Sequence, residues 1–102
     1  MKFLAMSRRV DGATQDQVAE QATPEALAAF RLMRQGVFEQ LYFSPDWKGA
    51  VLVVQADSRE DAQAALASLP MVRERIIAFD VWQLTPYDHY SRLFAAEHRE
   101  GL

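Results

Sequence analysis

Cysteine is absent from this chain of 102 residues, which removes disulfide staples, thiol catalysis and cysteine-ligated zinc. Positive charge is not in excess either. Eleven lysines and arginines face 14 aspartates and glutamates, a net charge of -3 that argues against the basic face a nucleic-acid binder needs. No apolar run approaches the roughly 18 residues of a membrane-spanning helix. The N-terminal MKFLAMSRRV lacks both the apolar length and the small-residue cleavage site of a secretory signal. A cytoplasmic protein that contacts neither nucleic acid nor membrane is expected. Gly-rich phosphate loops, a Rossmann fingerprint, a Ser-His-Asp order, internal repeats and low-complexity segments are also missing.

What remains is an ordinary globular composition, 50% apolar and 25% charged, with room for one domain over residues 1–102. Residues 2–9 alternate as a strand, with Phe3, Ala5 and Ser7 on one face and Leu4, Met6 and Arg8 on the other. Residues 14–21 favour helix but have little to bury, and Thr23-Pro24-Glu25 reads as a helix start. That helix is expected to run to about Gln35. Leu27, Phe30 and Arg34 share one line with Ala28 and Met33 beside it, and Gly36 is the stop. Residues 37–43 form a second strand, with Glu39, Leu41 and Phe43 opposed to Phe38, Gln40 and Tyr42. Pro45 and Asp46 make a turn, and residues 49–55 form a third strand that is apolar on both faces. Ser58 caps a second helix whose Ala62, Ala65, Leu66 and Leu69 face the sheet. Pro70 ends it, residues 71–74 link, and residues 76–84 make the last strand.

The order β-α-β-β-α-β predicts an α+β fold, the ferredoxin-like plait with a four-stranded antiparallel sheet. Two helices cover only one face of such a sheet, yet residues 51–54 and 76–81 are apolar on both faces. The second face therefore calls for a partner, and another copy of the chain is the expected one, in a homodimer or larger homo-oligomer. A plait has no need of residues 85–102. Tyr90, Leu93, Phe94 and His98 would line one face of a short helix in this tail, which is expected to pack on the partner.

Over nearly its whole length the chain resembles the muconolactone isomerase-like family of the dimeric α+β barrel superfamily. The likeness rests on Lys2-Phe3, on Gly36 followed by Phe38 and Leu41-Tyr42, and on the ungapped run to Ala56-Asp57-Ser58. Leu69-Pro70, Val81, Leu84 and the polar tail continue it. The resemblance implies paired plaits whose sheets face each other, and proton transfer beside a lactone carbonyl with no metal or organic cofactor. Other branches of the superfamily are cofactor-free monooxygenases, polyketide-tailoring proteins and small proteins of unknown activity. Glu39, Gln40 and Phe43 stand where the isomerases carry basic or imidazole groups, so a different small molecule is expected.

Asp80 interrupts an apolar strand, where loss of water would bring a carboxylate towards general-base strength. The alternative is an edge-strand aspartate facing water or paired with an arginine. His89, between Tyr87 and Tyr90, is a candidate proton shuttle or an inert tail histidine. His98 is a weaker candidate, and the two histidines have no carboxylate at metal-ligand spacing. Of Arg8 and Arg9 one must point inward or toward the partner, and Arg8 is the candidate to hold a carboxylate or enolate oxygen, the alternative being a solvated strand end. Tyr42, Trp47, Trp82 and Tyr87 are candidates to wall a flat small-molecule ligand, or else are core and interface. The reading is a cofactor-independent, isomerase-like enzyme acting on a small cyclic or aromatic metabolite. The alternative is a non-catalytic dimeric small-molecule-binding or scaffold module, and a further one, which the resemblance implies, is a cofactor-free monooxygenase or polyketide-tailoring protein.

Overall fold

Alternation of small and large apolar residues makes β1 (Lys2–Arg9) a strand, and it lies inside the sheet between two neighbours. The computed structural model describes residues 1–101, so Leu102, the end of the expected tail, lies outside the described residues. β2 (Phe38–Ser44), β3 (Gly49–Gln55) and β4 (Ile77–Leu84) complete a four-stranded antiparallel sheet in the order β2-β3-β1-β4. That is the expected βαββαβ plait, with β2 and β4 as its edges.

The first helix departs from expectation. α1 runs unbroken over Gln15–Arg34 and carries Pro24 inside it. Its start is a capping box that needs no apolar partner. The Gln17 N–H donates to the Thr14 hydroxyl (3.2 Å), and the Thr14 N–H donates to Gln17 Oε1 (2.8 Å). Pro24 removes one N–H from the ladder and crowds the carbonyl four residues before it, yet the helix continues. At the other end Gly36 adopts φ 78°, and the Val37 N–H reaches the Leu32 carbonyl (3.0 Å) while the Gly36 N–H reaches that of Met33 (3.0 Å). The sheet-facing line of α1 is Ala28, Ala29 and Leu32. Leu27, Phe30 and Met33 lie on its outer side, 49%, 50% and 44% exposed.

A register shift between Phe38 and Gln40 also corrects the expected sides of β2. Phe38 is buried with the core, and Leu41 and Phe43 follow it on the helix side. Gln40 and Tyr42 share the opposite side with Val53 and Val51. The hairpin closes through the Lys48 N–H on the Ser44 carbonyl (2.8 Å), with Lys48 left-handed at φ 61°.

Ser58 caps α2 (Arg59–Ala67) by accepting the Asp61 N–H at 3.0 Å. Pro70 does not simply end it: Pro70–Arg73 forms a one-turn helix, α3, with proline at its first position. Phe3, Ala5, Leu52, Val54 and Phe38 from the sheet meet Ala62, Leu66 and Leu69 in one core.

Beyond β4 the chain leaves this core. Residues His89–Phe94 and Ala96–Gly101 form two 3-10 turns that pack on each other rather than the single helix expected. Ala95 is extended between them, which breaks the i+4 ladder. The described residues span 60 Å in their longest direction, with a radius of gyration of 17.6 Å. A compact 100-residue domain has about 13 Å. The excess comes from the long α1 and the outlying tail. Among the described residues no helix is long and apolar enough to cross a membrane.

Candidate functional site on the open sheet face

Because side chains alternate, the residues of β1 that avoid the helices are Lys2, Leu4, Met6 and Arg8, and the strand pairing extends each into a row. Asp80, Met6, Val51 and Tyr42 form one row across all four strands. Trp82, Leu4, Val53 and Gln40 form the next, and Leu84, Lys2 and Gln55 the last. With strands about 4.8 Å apart, Asp80 and Tyr42 stand about 14 Å from each other on one surface. Register thus brings together Asp80, Arg8, Tyr42 and Trp82.

Arg8 Nε lies 3.4 Å from Asp80 Oδ2, and the two side chains are 60% and 52% exposed. The single chain therefore does not bury Asp80. The arginine pairing weighed in the sequence is present, β4 is an edge, and the desolvated carboxylate is not found within one chain. Arg9 turns away and donates to Gln15 Oε1 at 3.0 Å. A second ion pair, Lys2 Nζ to Glu39 Oε1 at 2.7 Å, marks the other end of the same face. Sequence reasoning missed it, although Lys2 shares the parity of Arg8. Between the two pairs the floor is apolar: Leu4, Met6, Val51 and Val53.

Trp47 closes the Arg8 end. Its indole lies against Gly49 so tightly that a Cβ there would overlap it, and the Ser7 carbonyl oxygen is 2.9 Å from the same point. The Ser7 hydroxyl is buried and accepts the Ala50 N–H at 2.8 Å, tying β1 to β3 beneath the tryptophan. At the opposite end, where the tail departs, a cleft of about 650 Å³ is lined by Met1, Lys2, Gln55, Gln83, Leu84, Thr85 and Pro86. Asp80, Arg8 and His89 are not among its walls.

Tyr87 and His89 are not brought to this face by their own chain's core. They cluster in the tail with Tyr90, at ring-centroid distances of 5.2 Å (Tyr87 to His89) and 5.8 Å (Tyr87 to Tyr90). His98 pairs with its neighbour Glu97 at 3.4 Å in the open. Among the described residues, the one carboxyl raised above its ordinary value is Glu25, on the helix side. Burial between α1 and α3 raises it, and the Met71 N–H, donating at 3.0 Å, partly opposes the rise.

No family model and no curated protein is similar to the chain by sequence. Solved structures are similar by shape. Muconolactone isomerase superposes with a TM-score of 0.69 at 21% identity, covering 87% of this chain and 93% of the isomerase. The chain has the muconolactone isomerase fold. The same fold relates it to 5-chloro-2-hydroxyhydroquinone dehydrochlorinase from Burkholderia phenoliruptrix AC1100, solved in complex with 2,5-dihydroxybenzoquinone. There the TM-score is 0.68 at 14% identity, covering 87% of this chain and 98% of that one. The resemblance read from the sequence is thus present in three dimensions, as a likeness of fold.

Proposed function

We propose that the chain is a cytoplasmic enzyme of the muconolactone isomerase type, moving a proton beside a carbonyl of a small cyclic or aromatic metabolite. The observation that carries this reading is the Arg8–Asp80 pair standing on an otherwise apolar open face, with Tyr42 in the row of Asp80 and Trp82 in the next. Two copies pair through that face, in a dimer or a larger assembly of dimers. Such pairing takes the charged pair out of water, where charge interactions strengthen.

There the Asp80 carboxylate takes a proton from the carbon next to the carbonyl. The Arg8 guanidinium hydrogen-bonds the oxygen on which the enolate charge gathers, and Asp80 returns the proton at another carbon of the conjugated system. No atom is gained or lost. Tyr42, Trp82 and Trp47 hold the ring. His89 and Tyr87 join the site only from the partner's tail. Support comes also from the names of the two structural neighbours, both of which act on small oxygenated rings.

The test is proton exchange. Lactones and cyclic ketones are incubated with the protein in D2O, and loss of the α-proton signal is followed by NMR. Asp80→Asn should slow exchange by about 100-fold or more, the usual worth of a positioned general base, with the fold retained. Exchange that survives Asp80→Asn removes Asp80 from the mechanism. No exchange with any ring, together with saturable binding, would favour the binding-module reading, to which the exposed Arg8–Asp80 ion pair lends its weight.

A further inference from the structure

The outer side of α1 is a second apolar surface, separate from the open sheet face. Leu27, Phe30 and Met33 recur there at helical spacing and are all about half exposed. From Ala26 to Gln35 the helix carries Arg31 and Arg34 and no acid. Among the described residues neither arginine meets a carboxylate, and with Gln35 they line a shallow cleft of about 280 Å³. One segment has the complementary character. The tail exposes Tyr90, Leu93 and Phe94 and carries Glu97 and Glu100, with Arg92 before them and Arg99, which turns back to the Phe94 carbonyl, between them.

The sheet's topology says which chain's tail can reach. β4 ends at Leu84 opposite Lys2, at the same end of the sheet where α1 stops and β2 begins at Phe38 opposite Val54. Within one chain β4 and β2 are opposite edges. Pairing two open faces about a two-fold axis parallel to the strands sets β4 of one copy against β2 of the other, with these ends level. We infer that each tail crosses to the partner and lies along its α1, Leu93 and Phe94 on Phe30 and Met33, with Glu97 and Glu100 beside Arg31 and Arg34. An axis perpendicular to the strands would set β4 against β4 and leave the apolar side of α1 and the tail both bare. The inference rests on the open-face pairing proposed above and is independent of the catalytic reading.

Because the chain has no cysteine, a Phe30→Cys/Phe94→Cys variant carries the only two thiols. Both positions are half exposed or more, so the variant should fold. Treated with a short bis-maleimide, it should yield a covalent dimer at a rate independent of protein concentration. An internally linked monomer, or no link at all, overturns the tail crossing. Light scattering on the same sample separates the causes: a dimer without a link refutes the crossing alone, whereas a monomer refutes the pairing as well. As a second probe, Leu93→Lys should weaken the dimer by at least about tenfold in Kd, since burying a positive charge beside Arg31 and Arg34 costs more than the roughly 1.4 kcal/mol that tenfold represents. An unchanged Kd also overturns the inference.

Discussion

From β1, Phe3, Ala5 and Ser7 point into the helices and are buried, whereas Leu4 and Met6, equally apolar, point the other way and stay partly open with Arg8 beyond them. The same contrast runs along β3, where Leu52 and Val54 are sealed and Val51 and Val53 are not. Hydrophobicity does not distinguish the two faces; what covers them does. On the helix side the apolar side chains hold one chain together. On the open side the same kind of side chain is free to hold two chains together and to line a site between them, so both charged pairs of the sheet, Arg8–Asp80 and Lys2–Glu39, stand there. Folding draws on one surface of the layer and leaves the other available.

That division can be broken most forcefully by truncating one residue on each side. Phe38→Ala should cost about 3–5 kcal/mol of folding stability in urea, the usual loss for a buried phenylalanine. Met6→Ala should lower the stability of the isolated chain by less than about 1 kcal/mol while weakening self-association. Equal losses at the two positions, independent of protein concentration, would erase the contrast. A smaller effect is expected at the corner where the faces meet. Gly49→Ala forces a Cβ into the Trp47 indole and the Ser7 backbone, so it should cost about 1–3 kcal/mol, as overpacking does, and shift the tryptophan fluorescence. A neutral result would show that Trp47 leaves Gly49 freely.

The gentlest probe is Glu25, on the sealed side. Its folded carboxyl is raised by burial, so the stability it contributes is present below the usual carboxylate range and is lost as pH rises through the raised value. Glu25→Gln keeps an acceptor for the Met71 N–H but loses the charge. The variant should therefore have the higher urea midpoint at pH 7, and the advantage should shrink at pH 4. A difference that does not change with pH would mean that burial of the charge is unimportant.

Much of the fold could be read without coordinates, because alternation and capping are local. Phe3, Ala5 and Ser7 fell on one face as expected, the Ser58 cap is in place, and β3 has the expected bounds. The start of α1 was misplaced because Thr23-Pro24 imitates a helix start, while the operative signal, Thr14-x-x-Gln17, precedes residues with little to bury. The sides of β2 were misread because a bulge is a property of two strands together and leaves no mark on one. The site suffered for the same reason. Asp80, Arg8 and Tyr42 were each visible as candidates, yet their common face depends on the register of β4, β1, β3 and β2, which no spacing along the chain encodes. Tyr87 and His89 stay apart from them because they cluster with Tyr90 in the tail beyond β4.

The bulge after Phe38 has one more effect. β2 is an edge strand bearing Leu41, Tyr42 and Phe43 in succession, just the composition that recruits further strands into fibrils. The extra residue throws the outward N–H and C=O groups out of even spacing, so a second β2 laid alongside falls out of step and cannot zip shut. The irregularity that sets Glu39 within reach of Lys2 also blunts an exposed sheet edge against unlimited growth.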